Sequence, residues 1–322
     1  MKSADRGTGT PPRGLAGWMA RVLVECERAG SGFTPEAVHD LRVALRRCRT
    51  MADSLAGVDD NPGWAAAKRS GKKLFRSLGD LRDVQVMTEW TLRLGGPGDP
   101  VRLALLARVL SREEPLRDEA VKALRRFSRP RWKTLARRLA ARSARFREDG
   151  DVFEELARQR LSEAWELHRK ASARPSPAAW HRLRIGVKRF RYVVENFLPT
   201  RHAEWGRELK RIQDLLGDVH DLDVLRRELS AVRRDCPEKT LVRWRLRIES
   251  ERELRLEEYR RMALERHSVW TRWRSSLADG RGAGVSATAK PSVARIGGQS
   301  PNSKSNPDGR TADGTKRMRK PT

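Results

Sequence analysis

His39-Asp-Leu-Arg42-Val-Ala-Leu-Arg46-Arg47-Cys48-Arg49 and His181-Arg-Leu-Arg184-Ile-Gly-Val-Lys188-Arg189-Phe190-Arg191 are two copies of one pattern, His-x-x-Arg-x-x-x-(Arg/Lys)-Arg-x-Arg. Each is followed, some 36 to 40 residues on, by Leu-Gly-Asp-x-x-Asp, around Gly79 and Gly217. The histidines are 142 residues apart and the glycines 138, a near-constant offset over separate motifs. A self-similar unit of this length is a duplicated subdomain rather than a solenoid repeat. Two small helical bundles about a pseudo-two-fold axis are therefore expected, each presenting ordered positive charge.

At roughly 100° per residue, His39, Arg42, Arg46 and Arg49 fall within an arc of about 80° on one helix. Leu41, Leu45, Cys48, Ala52 and Leu55 occupy a neighbouring arc, so a core face adjoins a cationic face. The second copy repeats both stripes, with His181, Arg184, Lys188 and Arg191 beside Leu183, Val187, Phe190, Val194 and Phe197. Arg47 and Arg189 fall off the stripe in both copies. Stacked cations repel one another unless compensated. A linear polyanion would compensate them, because guanidinium forks match phosphate oxygens. Pairing with carboxylates of neighbouring helices is the competing reading, and register-matched duplication weighs against it.

The segment before each glycine is also basic, with Arg69, Lys72, Lys73 and Arg76 in the first copy and Arg207, Lys210 and Arg211 in the second. Asp214 stands where Arg76 stood. Leu-Gly-Asp-x-x-Asp reads first as helix punctuation, with glycine at a left-handed C′ position and Asp80 or Asp218 capping the next helix. Asp83 and Asp221 then sit in a first turn. On a second reading these carboxylates orient the guanidinium groups. A divalent-cation site at Asp218, Asp221 and Asp223 is a third, weakened by Gln85 where the first copy should match Asp223. His39 and His181 read as phosphate contacts or structural residues, and metal binding lacks a ligand cluster.

The chain has 322 residues, with 69 Lys+Arg against 42 Asp+Glu, a formal charge of +27. Such an excess commonly accompanies nucleic acid, anionic membrane or another polyanion. The tail after Arg274 carries nine Lys/Arg and three Asp/Glu, which leaves +21 on the remainder. Cys26, Cys48 and Cys236 show no paired spacing, consistent with a reducing compartment. No apolar run is long enough to cross a bilayer, and a cytoplasmic protein is expected. The ten tryptophans are scattered, as core packing requires, rather than arrayed for base stacking.

From about Gly14 to Arg274 the pattern is nearly continuous helix, rich in Leu, Ala, Arg and Glu. Breaks are expected near Gly30–Gly32, Asp59–Gly63, Gly79–Asp80, Gly95–Pro100, Pro130, Asp149–Asp151, Pro175–Pro177, Pro199–Thr200, Gly217–Asp218 and Pro237. Thr34-Pro35-Glu36 and Ser176-Pro177 carry helix-start chemistry. The expected organisation is a disordered leader over 1–12, an all-α domain over 13–274 with halves of about 13–148 and 149–274, and a disordered basic tail over 275–322.

The two combs and two Leu-Gly-Asp-x-x-Asp signatures, in order, resemble the conserved histidine α-helical domain, or CHAD, family, over about Gly14 to Trp273. The resemblance implies two four-helix bundles with a basic groove or pore between them. It also implies binding of inorganic polyphosphate and association with polyphosphate granules. It places ligand contacts at His39, Arg42, Arg46, Arg49, His181, Arg184, Lys188 and Arg191. Arg69, Lys72, Lys73, Arg76, Arg207, Lys210 and Arg211 are outer candidates, and Asp80, Asp83, Asp218 and Asp221 are supporting groups. Relatives often carry a fused triphosphate-tunnel (CYTH) domain with a Glu-x-Glu-x-Lys signature. That signature is absent here, so a standalone binding domain is expected.

Noncatalytic polyphosphate binding is thus the leading expectation, with no catalytic residue, metal or cofactor called for. A nucleic-acid-binding helical protein is the alternative, although base-edge readers and exposed aromatics are not placed. Weak nucleic-acid affinity through the basic surface and tail would accompany either. A phosphohydrolase or phosphotransferase would need a metal cluster, an activated nucleophile or Walker-type glycines, and none can be placed in the sequence.

Overall fold

A computed structural model describes residues 14–264 and 268–279. The leader expected over 1–12 and the tail from 280 lie outside the described residues. Within them the chain is all-α. α1 (Gly14–Ser31), α2 (Pro35–Leu55), α3 (Pro62–Ser70), α4 (Lys72–Leu94), α5 (Pro100–Leu110), α6 (Glu113–Arg126) and α7 (Arg129–Ser143) form the first half. α8 (Asp151–Ala173), α9 (Pro177–Phe197), α10 (Pro199–Ala231), α11 (Glu238–Leu264) and α12 (Val269–Asp279) form the second.

Proline starts explain most boundaries. Thr34 caps α2, its Oγ1 accepting from Ala37 N at 3.2 Å, with Pro35 in the first turn. Ser176 and Pro177 repeat the arrangement on α9, where Oγ accepts from Ala179 N at 3.2 Å. Asp99 caps α5 and also accepts from the Trp244 indole at 2.9 Å, tying that corner to α11. At the junction of the halves Asp149 takes a positive φ of 54°, which Asp tolerates better than most residues. Its amide donates to the Phe197 carbonyl at 2.8 Å, so the junction is pinned to the α9–α10 corner.

Three expectations need correction. Gly79 and Gly217 do not end helices; α4 and α10 run through them. Leu78 and Leu81, and Leu216 and Val219, stay buried on either side and hold the ladder in register across the glycine. The described residues also hold more than four helices per half: seven in the first, where Gly71 separates α3 from α4 and Ser111–Arg112 separates α5 from α6, and five in the second. Finally, residues 275–279 are not tail. Leu277 is fully buried, and Arg158 and Arg201 donate to the Leu277 and Ser276 carbonyls, so α12 closes the domain.

The core does not divide by half. One cluster joins α1, α2 and α7 with α8, α9 and α12, while a smaller one joins the later turns of α4 and α5 with α10 and α11. Trp64, Trp90, Trp132, Trp244, Trp270 and Trp273 are fully buried or nearly so, which accords with packing rather than stacking on bases. Each large apolar side chain moved out of water contributes about 2 kcal/mol before ordering costs. Both comb helices are held this way, with Leu41, Leu45 and Cys48 on α2 and Leu183, Val187, Phe190 and Val194 on α9 all buried.

Candidate functional site

α2 packs against α9, so the two combs lie on adjoining helices. Arg47, off the cationic stripe, crosses to pair with Glu195 and donates to Asn196 Oδ1 at 3.1 Å. Asn196 Nδ2 in turn donates to Thr50 Oγ1 at 3.3 Å. Glu195 also takes Arg191 at 3.5 Å, so the last cation of the second comb belongs to this clamp. Arg49 donates to the Lys68 carbonyl at 2.5 Å and lies over the Phe75 ring. The outer comb arginines therefore brace the helices.

The inner positions differ. Among the described residues, none of Arg42, Arg46, Arg184 and Lys188 is in an ion pair. Arg42 and Arg184 occupy the same repeat position, and each buries its Nε with no hydrogen-bond partner. Aromatic faces take the place of carboxylates, Arg42 lying over Phe75 at 5.4 Å and Lys188 over Tyr192 at 5.7 Å. Burial first, then Arg184, Arg46 and Arg42, push the Lys188 ammonium down to about 8. Burial and Arg46 likewise lower Arg42. The two halves thus place their cations in one another's field.

A cleft of about 290 Å³ opens along this seam, walled by Arg46, Arg49, Lys188, Arg189, Phe75 and Tyr192. Lys68 of α3 and Arg160 of α8 extend the wall, though each has a carboxylate neighbour, Asp53 and Glu163.

Of the Leu-Gly-Asp-x-x-Asp carboxylates, the second of each pair faces the seam. Burial raises Asp221 to about 7, against the pull of Arg184, and Asp218 and Asp83 add to the rise. Asp83 is raised by burial against Arg42 and Arg184. It is open to water yet has protein on most sides, as a group on a concave wall does. Asp80 is exposed, and Asp218 is drawn off by Arg255 at 3.4 Å. Asp223 forms a buried pair with Arg252 at 3.0 Å, so Asp218, Asp221 and Asp223 do not converge on a cation. Among the described residues no group of three or more His, Cys, Asp or Glu could hold a metal ion.

The outer basic candidates do not line this cleft. Arg69, Lys72, Lys73, Arg76 and Arg207 are exposed, Lys210 pairs with Asp214 at 2.5 Å, and Arg211 pairs with Glu258.

The two histidines sit in different surroundings. His39 has an open surface but protein crowded around its ring, and this partial desolvation lowers its pKa, Arg82, Arg46 and Arg42 adding to the fall and Asp40 opposing it. His181 touches His220, with Nδ1 atoms 3.2 Å apart. Burial, Arg184 and His181 push His220 down to about 4. Arg82, His220 and Tyr192 escaped the sequence reading. The first two could have been found, because the 138-residue offset makes position 82 the counterpart of 220.

No curated protein matches the sequence. The family model described as the CHAD domain matches residues 15–230. Among solved structures, the chain is similar to the crystal structure of the CHAD domain from the plant Ricinus communis, with 24% identity and a TM-score of 0.51. That match covers 82% of this chain and 89% of the other. No helix of the described residues is long and apolar enough to cross a membrane.

Proposed function

The chain belongs to the CHAD domain family, and from that premise we propose that it binds inorganic polyphosphate without turning it over. The ligand lies along the seam between α2 and α9, and the protein works in the cytoplasm at polyphosphate granules. One observation carries the reading: Arg42 and Arg184, equivalent by duplication, each bury an Nε that no protein group satisfies. Unsatisfied buried donors at equivalent places in two repeats are hard to explain by stability, since each costs about 1–3 kcal/mol. Among the described residues neither guanidinium has a carboxylate in an ion pair, and a phosphate chain at the seam supplies the countercharge that the protein does not. Arg46 and Lys188 extend the track to four inner cations, and Asp83 and Asp221, both in the field of Arg184, orient the guanidinium groups.

Binding replaces the chain's counterions with fixed side chains, so affinity falls steeply with salt. Four contacts give a log–log slope of about −3. The test is titration of the full chain with long-chain polyphosphate, duplex DNA and RNA at matched phosphate, over a salt series. Tighter polyphosphate binding, with no phosphate release when Mg²⁺ is added, supports the reading. Tighter binding of DNA or RNA would favour the nucleic-acid alternative, equal affinity for all three would leave a nonspecific basic surface, and phosphate release would establish an enzyme.

A further inference from the structure

The two ends of the seam carry different chemistry. Positions 82 and 220 are repeat counterparts, each beside its comb histidine. In the first half that position is Arg82, which ion-pairs with Glu89 at 3.0 Å. In the second half it is His220, in contact with His181, and the counterparts of Thr88 and Glu89 are Arg226 and Arg227. Where the first half holds one imidazole and a compensated cation, the second holds two imidazoles and two arginines.

These four side chains, with Pro177 and Ala178 from the first turn of α9, wall a cavity of about 400 Å³. Asp223 also reaches the wall, but its carboxylate is engaged by Arg252, the two being 8% and 10% exposed. Glu249 lies 4.0 Å from Arg226, both about half exposed, a contact that solvent screens. Arg227 Nε leans on the Asp223 carbonyl at 3.4 Å, and Arg227 lies close enough to act on both imidazoles. Arg184, one turn along α9 from His181, acts on both as well, so the cavity adjoins the inner cations.

The imidazole contact limits its own chemistry. With Nδ1 facing Nδ1 at 3.2 Å, one ring donates and the other accepts. One ring therefore presents a bare Nε2 and the other an Nε2–H. One further proton, on the bare Nε2, gives two diverging donors. A second would set two N–H groups head to head. Burial and the surrounding arginines keep the pair neutral until an anion arrives.

A linear polyphosphate offers two kinds of group. Internal units carry about one charge, whereas a terminal phosphoryl, with a second pKa near that of a phosphomonoester at about 6, approaches two. A corner with two arginines, an inducible imidazolium and the positive end of α9 suits the dianion. We propose that His181, His220, Arg226 and Arg227 form a chain-end subsite, which takes the terminal phosphoryl group and gives the bound chain one anchored end. The subsite rests on the polyphosphate reading of the seam.

The test compares a linear polyphosphate of defined length with the same chain after both ends are capped as phosphoramidates, which lowers each terminal group from a dianion to a monoanion like the internal units. Full-length wild type is expected to prefer the uncapped chain by about tenfold. Arg226→Ala with Arg227→Ala, on exposed positions, should bind both chains alike. His220→Gln, which leaves the resting charge unchanged, should cut the preference to about threefold. Equal affinity of wild type for both chains, with both abolished by Arg42→Ala and Arg184→Ala, would overturn the subsite and leave the seam intact. Failure of wild type to bind either chain would overturn both.

Discussion

Replacing Lys188 by methionine should make the protein more stable, because Lys188 is a charge the fold holds at a cost. Its ammonium drops from 10.5 to about 8, chiefly through burial and then through Arg184, Arg46 and Arg42. At about 1.4 kcal/mol per pKa unit, keeping it protonated costs about 3 kcal/mol. The side chain keeps some contact with water, so about 2 kcal/mol is expected in practice. Methionine matches its length and removes the charge. The sign with pH follows from linkage. Below about 8 both folded and unfolded chains hold the proton, and the penalty is present in full. Between about 8 and 10.5 the folded chain has released a proton that the unfolded chain keeps, so wild type gains stability as pH rises. Urea unfolding of wild type and Lys188→Met, followed by circular dichroism from neutral to alkaline pH, reads the difference. The variant should lead by about 2 kcal/mol near neutrality, and the lead should shrink toward zero above pH 10. A variant less stable at neutral pH, or a lead independent of pH, would refute the reasoning. The same variant should bind polyphosphate more weakly, which would mark the charge as kept for a ligand.

Glu195→Gln should destabilise the protein by about 3 kcal/mol in the same unfolding assay, because it leaves Arg47 and Arg191 facing a neutral amide in the α2–α9 clamp. Burial pushes Glu195 up, but Arg47 and Arg191 more than offset it and hold its pKa below the ordinary value. Its contribution is therefore present above the ordinary carboxylate range, and variant and wild type should converge only in acid below it. Gly217→Ala should stabilise α10 by about 1 kcal/mol, since a Cβ there meets nothing within 4 Å and mid-helix glycine is poorly favoured. A loss of stability would show that the bare backbone is needed for packing. Cys236 should react with a thiol reagent first, while Cys26 and Cys48 are fully buried and burial raises both thiols. Their modification should track global unfolding.

The helical class and most helix ends were legible because proline and its caps act locally, as at Thr34-Pro35 and Ser176-Pro177. The two glycines misled for a physical reason. Leu-Gly-Asp has the chemistry of a helix end, but buried neighbours on both sides outweigh the cost of one glycine in α4 and α10. The combs were legible as stripes, since helical spacing alone puts His39, Arg42, Arg46 and Arg49 together. Which members stay outside hydrogen bonds and ion pairs with the protein was not, because Arg49 and Arg191 are taken up by Lys68 and Glu195, partners set by tertiary packing. The same holds for the outer cations Lys210 and Arg211, whose partners Asp214 and Glu258 sit one turn away and on α11. His220 carries no repeat signal of its own, because its counterpart is Arg82 rather than a histidine, although repeat alignment puts the two in register.

The central claim is that the inner cations at the seam, and not basic charge at large, hold the polyanion. Titration of long-chain polyphosphate against wild type, against Arg42→Ala with Arg184→Ala, and against a variant neutralising Arg69, Lys72, Lys73 and Arg207 tests it most directly. Two charge-assisted contacts at about 1.5–3 kcal/mol each predict a loss of at least ~100-fold in the first variant, with folding stability unchanged or raised. The outer variant, although it removes more charge, should lose less than about tenfold. An outer variant that loses more than the inner pair would contradict the account and leave a nonspecific basic surface.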